Sequence, residues 1–134
     1  MSSDPQPIVL SQAALEFVTD RHLATLTTLR QDGTPHVVAV GFTWDAERCR
    51  VRIITDGASH KARNVERHGY AAVSQVDGVR WITLEGPARV LRDRDSVHDA
   101  VQRYAARYRQ PRHNPTRVVI EIDVQRVMCS SVLR

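Results

Sequence analysis

Between Cys49 and Thr55 the chain reads CRVRIIT, and its side chains alternate. Val51, Ile53 and Thr55 fall on one face of an extended strand, and Arg50, Arg52 and Ile54 on the other. A period of two suits a pleated strand and no helix. Extended runs recur at His22–Arg30, Pro35–Trp44, Tyr70–Val76, Val79–Leu91 and Arg117–Val127. Between them lie short turn signals: Gln31-Asp32-Gly33, Asp45 to Arg48, and Asp77-Gly78. Short turns leave no room for crossovers, so the first three strands predict an antiparallel meander. The fifth strand is long, and Gly86-Pro87 predicts a bend within it.

Three helices interrupt the strands. Ser11 is a good N-cap for a helix to about Asp20, with Ala14, Phe17 and Val18 as its apolar stripe. Ser59 caps a second, from about His60 to His68, with Ala62 and Val65 facing inward. Asp93 or Asp95 caps a third, to about Arg109, with Val97, Val101, Tyr104 and Tyr108 along one face. A loop with two prolines, Gln110 to Pro115, leads into the last strand. Chains of 134 residues bury one core. Residues 1–9 are expected as a flexible lead-in and 10–134 as a single domain. Six strands with inserted helices predict a mainly β fold, a small closed or nearly closed antiparallel barrel without free edges.

Composition removes several function classes. No apolar run approaches the roughly 20 residues of a membrane helix. The polar segment Met1–Pro7 carries neither the charged n-region nor the apolar h-region of a signal peptide. Cys49 and Cys129 are too few for a disulfide scaffold or a cysteine zinc site, so reduced thiols and a cytoplasmic setting are expected. The net charge is +4, but the basic residues are spread out and aromatics are only 5%. That is unlike a nucleic-acid surface, which concentrates both. The six histidines have no HExxH spacing, so no metal site is expected. There is no GxSxG, GxGxxG or phosphate-loop motif.

One local constellation carries chemistry. A strand ends at Ile54-Thr55, the chain turns, and Ser59-His60-Lys61 opens a helix. Free backbone N–H groups and the positive dipole end collect there. Ser59 adds a hydroxyl, and Lys61, the only lysine against eighteen arginines, adds a full charge. Arg63 and Asn64 follow within a turn. Such a group forms a phosphate cradle.

These residues resemble the flavin-binding split β-barrels typified by pyridoxine phosphate oxidase. That family has an R-x-V-L-L-K strand, an F-Y-T-N strand end and a following S-R-K. The chain reads His36-Val37-Val38-Ala39-Val40-Gly41, then Ile53-Ile54-Thr55-Asp56, then Ser59-His60-Lys61. The resemblance implies a six-stranded antiparallel split barrel. It implies that His36, Val37, Val38 and Ala39 bind the cofactor and that Ile54 and Thr55 contact its flavin-like part. Ser59, His60, Lys61 and Asn64 would hold the cofactor phosphate. Trp81 stands where the family reaches across from the partner subunit, which implies a homodimer with sites at its interface. His36 and Gly41 replace the family's Arg and Lys, which argues against vitamin B6 oxidation and against FMN.

The strings SQVDGVRWITLEG and RYRQPRHNPTRVVIEI look strongly like the actinobacterial deazaflavin-dependent branch, and within it the biliverdin-reducing members. The likeness runs from about Leu10 to Val127. It implies a reductase that passes a hydride from reduced coenzyme F420 to biliverdin, giving bilirubin, or to a similar conjugated acceptor. The alternatives are an FMN-dependent oxidoreductase of the same fold and a non-enzymatic carrier of cofactor or tetrapyrrole. For extra contacts to a long anionic cofactor, Arg63, Arg67, Arg109 and Arg112 are the outer candidates.

Overall fold

The computed structural model describes residues 8–134. Of the nine-residue lead-in expected from the sequence, Met1–Pro7 lie outside the described residues. Ile8 packs against the core, and its carbonyl accepts from the Cys49 thiol. The elements are α1 (Gln12–Thr19), β1 (Ala24–Leu29), β2 (Pro35–Val40), β3 (Thr43–Asp45), β4 (Arg50–Asp56), α2 (His60–Arg67), β5 (Tyr70–Asp77), β6 (Arg80–Leu91), α3 (Arg94–Arg107), β7 (Arg117–Asp123) and β8 (Arg126–Cys129). A 3-10 turn, Ser131–Leu133, follows. The caps are the expected ones: Ser11, Ser59 and Asp93 each accept from the amide three residues on.

All strand pairs are antiparallel, in the order β2-β1-β5-β6-β7-β4-β3, with β8 against β6. β2 and β3 are consecutive in the chain yet stand at opposite ends of this order. The sheet therefore wraps almost closed and stays split between them. β6 makes the wrap possible. Its first part, Arg80 to Pro87, pairs with β5, and its last, Ala88 to Leu91, pairs with β7. The change falls at the bend expected at Gly86-Pro87. Inside, Leu26, Val73, Ile82 and Leu84 from one half meet Val51, Ile53, Ile120 and Ile122 from the other.

The eight strands correct the expected six at two places. The run Pro35–Trp44 is not one strand, because Gly41 lies under the rings of Tyr104 and Tyr108 and the chain turns there. The Phe42 amide donates to the Tyr108 hydroxyl at 3.2 Å, not to a ladder partner. The run Arg117–Val127 breaks after Asp123, because the next amides serve other partners. Val124 donates to the Cys49 carbonyl and Gln125 to the Glu85 carbonyl.

α3 packs over β3, β4 and β7 and covers an ion network. The face of β4 that carries Arg50 and Arg52 lies beneath it: Arg52 is 8% exposed and Asp45 3%. Arg52 donates to Asp45 at 2.7 Å and to Glu121 at 3.2 Å, while Arg103 from α3 approaches Asp45 at 3.5 Å. Arg50 and Arg89 complete the set through Glu121 and Asp123. Burial opposes the Asp45 charge, but hydrogen bonds from Arg52 and the Arg48 amide prevail and hold its pKa at about 2. The ionised form is thus favoured in the fold. Its stabilisation is complete above the ordinary carboxylate value of 3.8 and is lost as pH falls through about 2. That difference is worth about 2 kcal/mol. Asp45→Asn is expected to cost about 2 kcal/mol in urea unfolding at pH 7, by removing one of the two buried carboxylates that pair with Arg52. It should also remove that much of the loss in stability between pH 5 and pH 2. Parallel pH profiles for the two proteins would contradict this assignment.

Candidate functional site

Three strand and helix ends converge on a cavity of about 300 Å³. The end of β2 supplies Ala39 and Val40, with Gly41 beyond it. The end of β4 supplies Ile54, Thr55 and Asp56, and α2 supplies Lys61. Tyr104 on α3, Pro111 and Asn114 from the loop before β7, and Arg117 at the start of β7 complete the lining.

The β4–α2 turn is built by short-range bonds. Thr55 donates its hydroxyl proton to Ser59 Oγ at 3.0 Å, and Ser59 Oγ accepts from the Ala62 amide at 3.3 Å. Asp56 ties this turn to the wall. It accepts from the Ala58 amide at 2.9 Å, from Asn114 at 3.3 Å and from the Thr116 hydroxyl. The Gly57 amide adds a bond to the Thr116 carbonyl at 2.9 Å. Those donors, the Thr116 hydroxyl first, hold the Asp56 carboxyl below the usual carboxylate range. Gly41 has a packing reason: a Cβ there would stand 3.0 Å from both the Tyr104 and Tyr108 rings.

Lys61 is half-buried and takes part in no ion pair among the described residues. Burial alone pushes its ammonium below the ordinary lysine value. A partly desolvated cation facing a cavity is a site for an anion. Beside it, His36 at the start of β2 and His60 at the start of α2 lie with ring centroids 6.1 Å apart and their planes tilted by 45°. Nδ1 of His36 is buried without a hydrogen-bond partner.

Of the residues singled out from the sequence, Ala39, Ile54, Thr55 and Lys61 line the cavity. Ser59 is joined to it through Thr55. His36 and His60 sit together next to Lys61. Asn64 is buried and spent on Thr28 at 3.1 Å and Arg67 at 3.2 Å. Val37 and Trp81 are on the outer face of the sheet, 58% and 37% exposed; Val38 is partly buried and packs against the core. Arg63, Arg67, Arg109 and Arg112 are exposed, and none lines the cavity. Sequence reading missed Tyr104, Pro111, Asn114 and Arg117 as walls. Tyr104 had been placed on an ordinary apolar helix face, and the only signal for the others was the proline-bounded loop.

A family model described as pyridoxamine 5'-phosphate oxidase matches residues 10–129. The chain belongs to this family. It is 58% identical over 124 residues to a biliverdin reductase of Mycobacterium tuberculosis (strain CDC 1551 / Oshkosh) that depends on reduced coenzyme F420; the match covers 92% of this chain and 90% of that one. Among solved structures, it resembles the conserved hypothetical protein Rv2991 from Mycobacterium tuberculosis (TM-score 0.78, 23% identity, 96% of this chain and 89% of that one). It also resembles a protein titled F420 reductase (TM-score 0.73, 24% identity, 88% and 98%). These likenesses establish the fold, and the split β-barrel expected from the sequence is the family's architecture.

Proposed function

We propose that the chain is an oxidoreductase that uses reduced coenzyme F420 to reduce biliverdin to bilirubin. The observation that carries this reading is half-buried Lys61, without an ion pair among the described residues and facing the cavity, in a chain 58% identical to a reductase of that cofactor and substrate. The donors present fit the cofactor. Lys61 and the Ser59-capped N-terminus of α2 would hold its phosphate, with His60 and His36 alongside. Ala39 and Ile54, at adjacent strand ends, offer an apolar wall for a planar ring system, and Thr55 a hydroxyl. When bound, reduced coenzyme F420 would supply a hydride to an electrophilic carbon, such as biliverdin's central methine bridge, and water would supply the proton that a pyrrole nitrogen takes up to give bilirubin. The protein's part is to bind, orient and exclude water. No side-chain nucleophile is needed for this. Biliverdin's two propionates and the cofactor's phosphate and glutamate tail are anionic, and a chain of net charge +4 attracts them. Arg117, which also lines the cavity, is the cation placed to meet a second anionic group.

About 300 Å³ is at the small end for a ligand pocket and holds a fraction of a deazaflavin with a tetrapyrrole. The remaining wall belongs to a second copy. Val37, Val76, Trp81 and Met128 stand exposed on one sheet face, and the register puts Val76 opposite Trp81. A two-fold dimer covers this face and lends Trp81 to the partner's cavity. A cytoplasmic setting belongs to the same proposal and rests on the two free thiols, Cys49 and Cys129.

Titration separates this reading from FMN chemistry on the same fold. Coenzyme F420 is expected to bind at least tenfold more tightly than FMN, about 1.4 kcal/mol, with the preference shrinking as salt rises. Lys61→Ala should weaken coenzyme binding about tenfold to a hundredfold, the worth of one bond to a charged group. Stoichiometric FMN retained through purification, or equal dissociation constants, would favour the FMN enzyme. Sedimentation should give a dimer, and Trp81→Ala should lower coenzyme affinity in it; a fully active monomer would defeat the composite site.

A further inference from the structure

Four basic groups from three elements meet at the mouth of the cradle: Arg30 after β1, His36 on β2, and His60 and Lys61 on α2. None of the four is in an ion pair among the described residues. Arg30 bonds Thr34 and the Pro35 carbonyl. Asp32, the carboxylate nearest Arg30 in the turn, is spent on the amide and hydroxyl of Thr34. The groups facing His36 are therefore Arg30 from the hairpin and His60 and Lys61 from α2, with no carboxylate among them. Nδ1 of His36 is also buried with no partner, so a second N–H there would have nothing to bond.

We propose that His36 is a proton-coupled member of the phosphate cradle, neutral in the free protein and protonated when an anion enters beside Lys61 and His60. This rests on the reading of that cavity as the cofactor site. The physics is a sign reversal. In the free protein, burial first, and then Arg30, His60 and Lys61, push the imidazole below its ordinary value of 6.5. An anion lodged among the same cations turns the field at the ring from positive to negative. It also offers an oxygen to a ring N–H. Both favour imidazolium, so binding takes up one proton. Affinity therefore rises as pH falls through the His36 value of the loaded protein, and levels off below that of the free protein. A cradle with an arginine in this place would carry its charge at every pH. With histidine, this position adds its charge to the fixed ones of Lys61 and Arg30 only when an anion is present.

NMR of the imidazole Cε1–H resonances tests this in the wild-type chain, with His36 assigned by its absence from His36→Gln. Titrations are recorded free, saturated with coenzyme F420, and with sulfate, which keeps its charge from pH 5 to 8; chloride at matched ionic strength is the control. The His36 midpoint is expected to rise by at least about one unit with either anion, a tenfold change in proton affinity. Sulfate should bind about tenfold more tightly at pH 5.5 than at pH 8, and His36→Gln should flatten that dependence. Coenzyme that binds, seen by its fluorescence, while the His36 midpoint stays fixed overturns the coupling and leaves the cofactor reading standing. A midpoint raised by sulfate in a protein that does not bind coenzyme supports the coupling and overturns the cofactor reading. A midpoint unmoved by either anion overturns the coupling.

Discussion

At Gly86 the backbone of β6 runs so close to the end of β7 that a Cβ would stand 1.9 Å from the Asp123 carbonyl oxygen. Only glycine permits this approach, and the strand's change of partner depends on it. Up to Pro87, β6 belongs with β5; from Ala88 it belongs with β7. That switch curls one antiparallel ladder into a split barrel. It also brings the end of β4, paired through Asp56 with Arg117, against the end of β2. The cavity is the gap left where these ends meet. Its far wall is held by Asp56, through Asn114 and Thr116, and by the aromatic rings of α3 resting on Gly41. A side chain at residue 86 would thus disturb the site from the opposite end of the sheet.

Arginine dominates the charge of this chain, and its arginines do different work from its lysine. Arg50, Arg52, Arg89 and Arg103 are committed to Asp45, Asp99, Glu121 and Asp123 beneath α3. Arg107 is consumed by the Asp20 and Phe42 carbonyls and by buried Gln75, which fixes the end of α3 over the β2–β3 bend. Guanidinium suits such roles because its planar fork satisfies several acceptors at once. Lys61 has no carboxylate partner among the described residues, and it faces the cavity together with Arg117.

How much of this was legible in the sequence depends on the range of the interaction. Local signals were sufficient for Ser11, Ser59 and Asp93 as caps, since each is decided within a few residues, while Gly86-Pro87 marked the place of a bend but not the Asp123 carbonyl that demands the glycine. Alternation in β4 identified the strand, and Val51 and Ile53 are indeed inside. The same alternation left the environment of Arg52 undecided, because period two cannot tell water from a covering helix that brings its own countercharges. The break after Val40 was invisible because it depends on Tyr104 and Tyr108, more than sixty residues later in the chain. The cradle residues Thr55, Ser59 and Lys61 lie within one strand–turn–helix and were found. Asn114 and Arg117 join the site only through long-range pairing of β7 with β4. The family strings supplied what spacing did not, the chemistry of the ligand.

The central claim is that these groups serve a hydride transfer from a reduced deazaflavin to a tetrapyrrole. The most direct measurement mixes purified protein with reduced coenzyme F420 and biliverdin under anaerobic conditions and follows both chromophores. The account predicts that oxidised coenzyme and bilirubin appear in equal amounts, over many turnovers per chain, and that Lys61→Ala slows the reaction at subsaturating coenzyme. Biliverdin that binds with no oxidation of the coenzyme would contradict the account and make the protein a carrier.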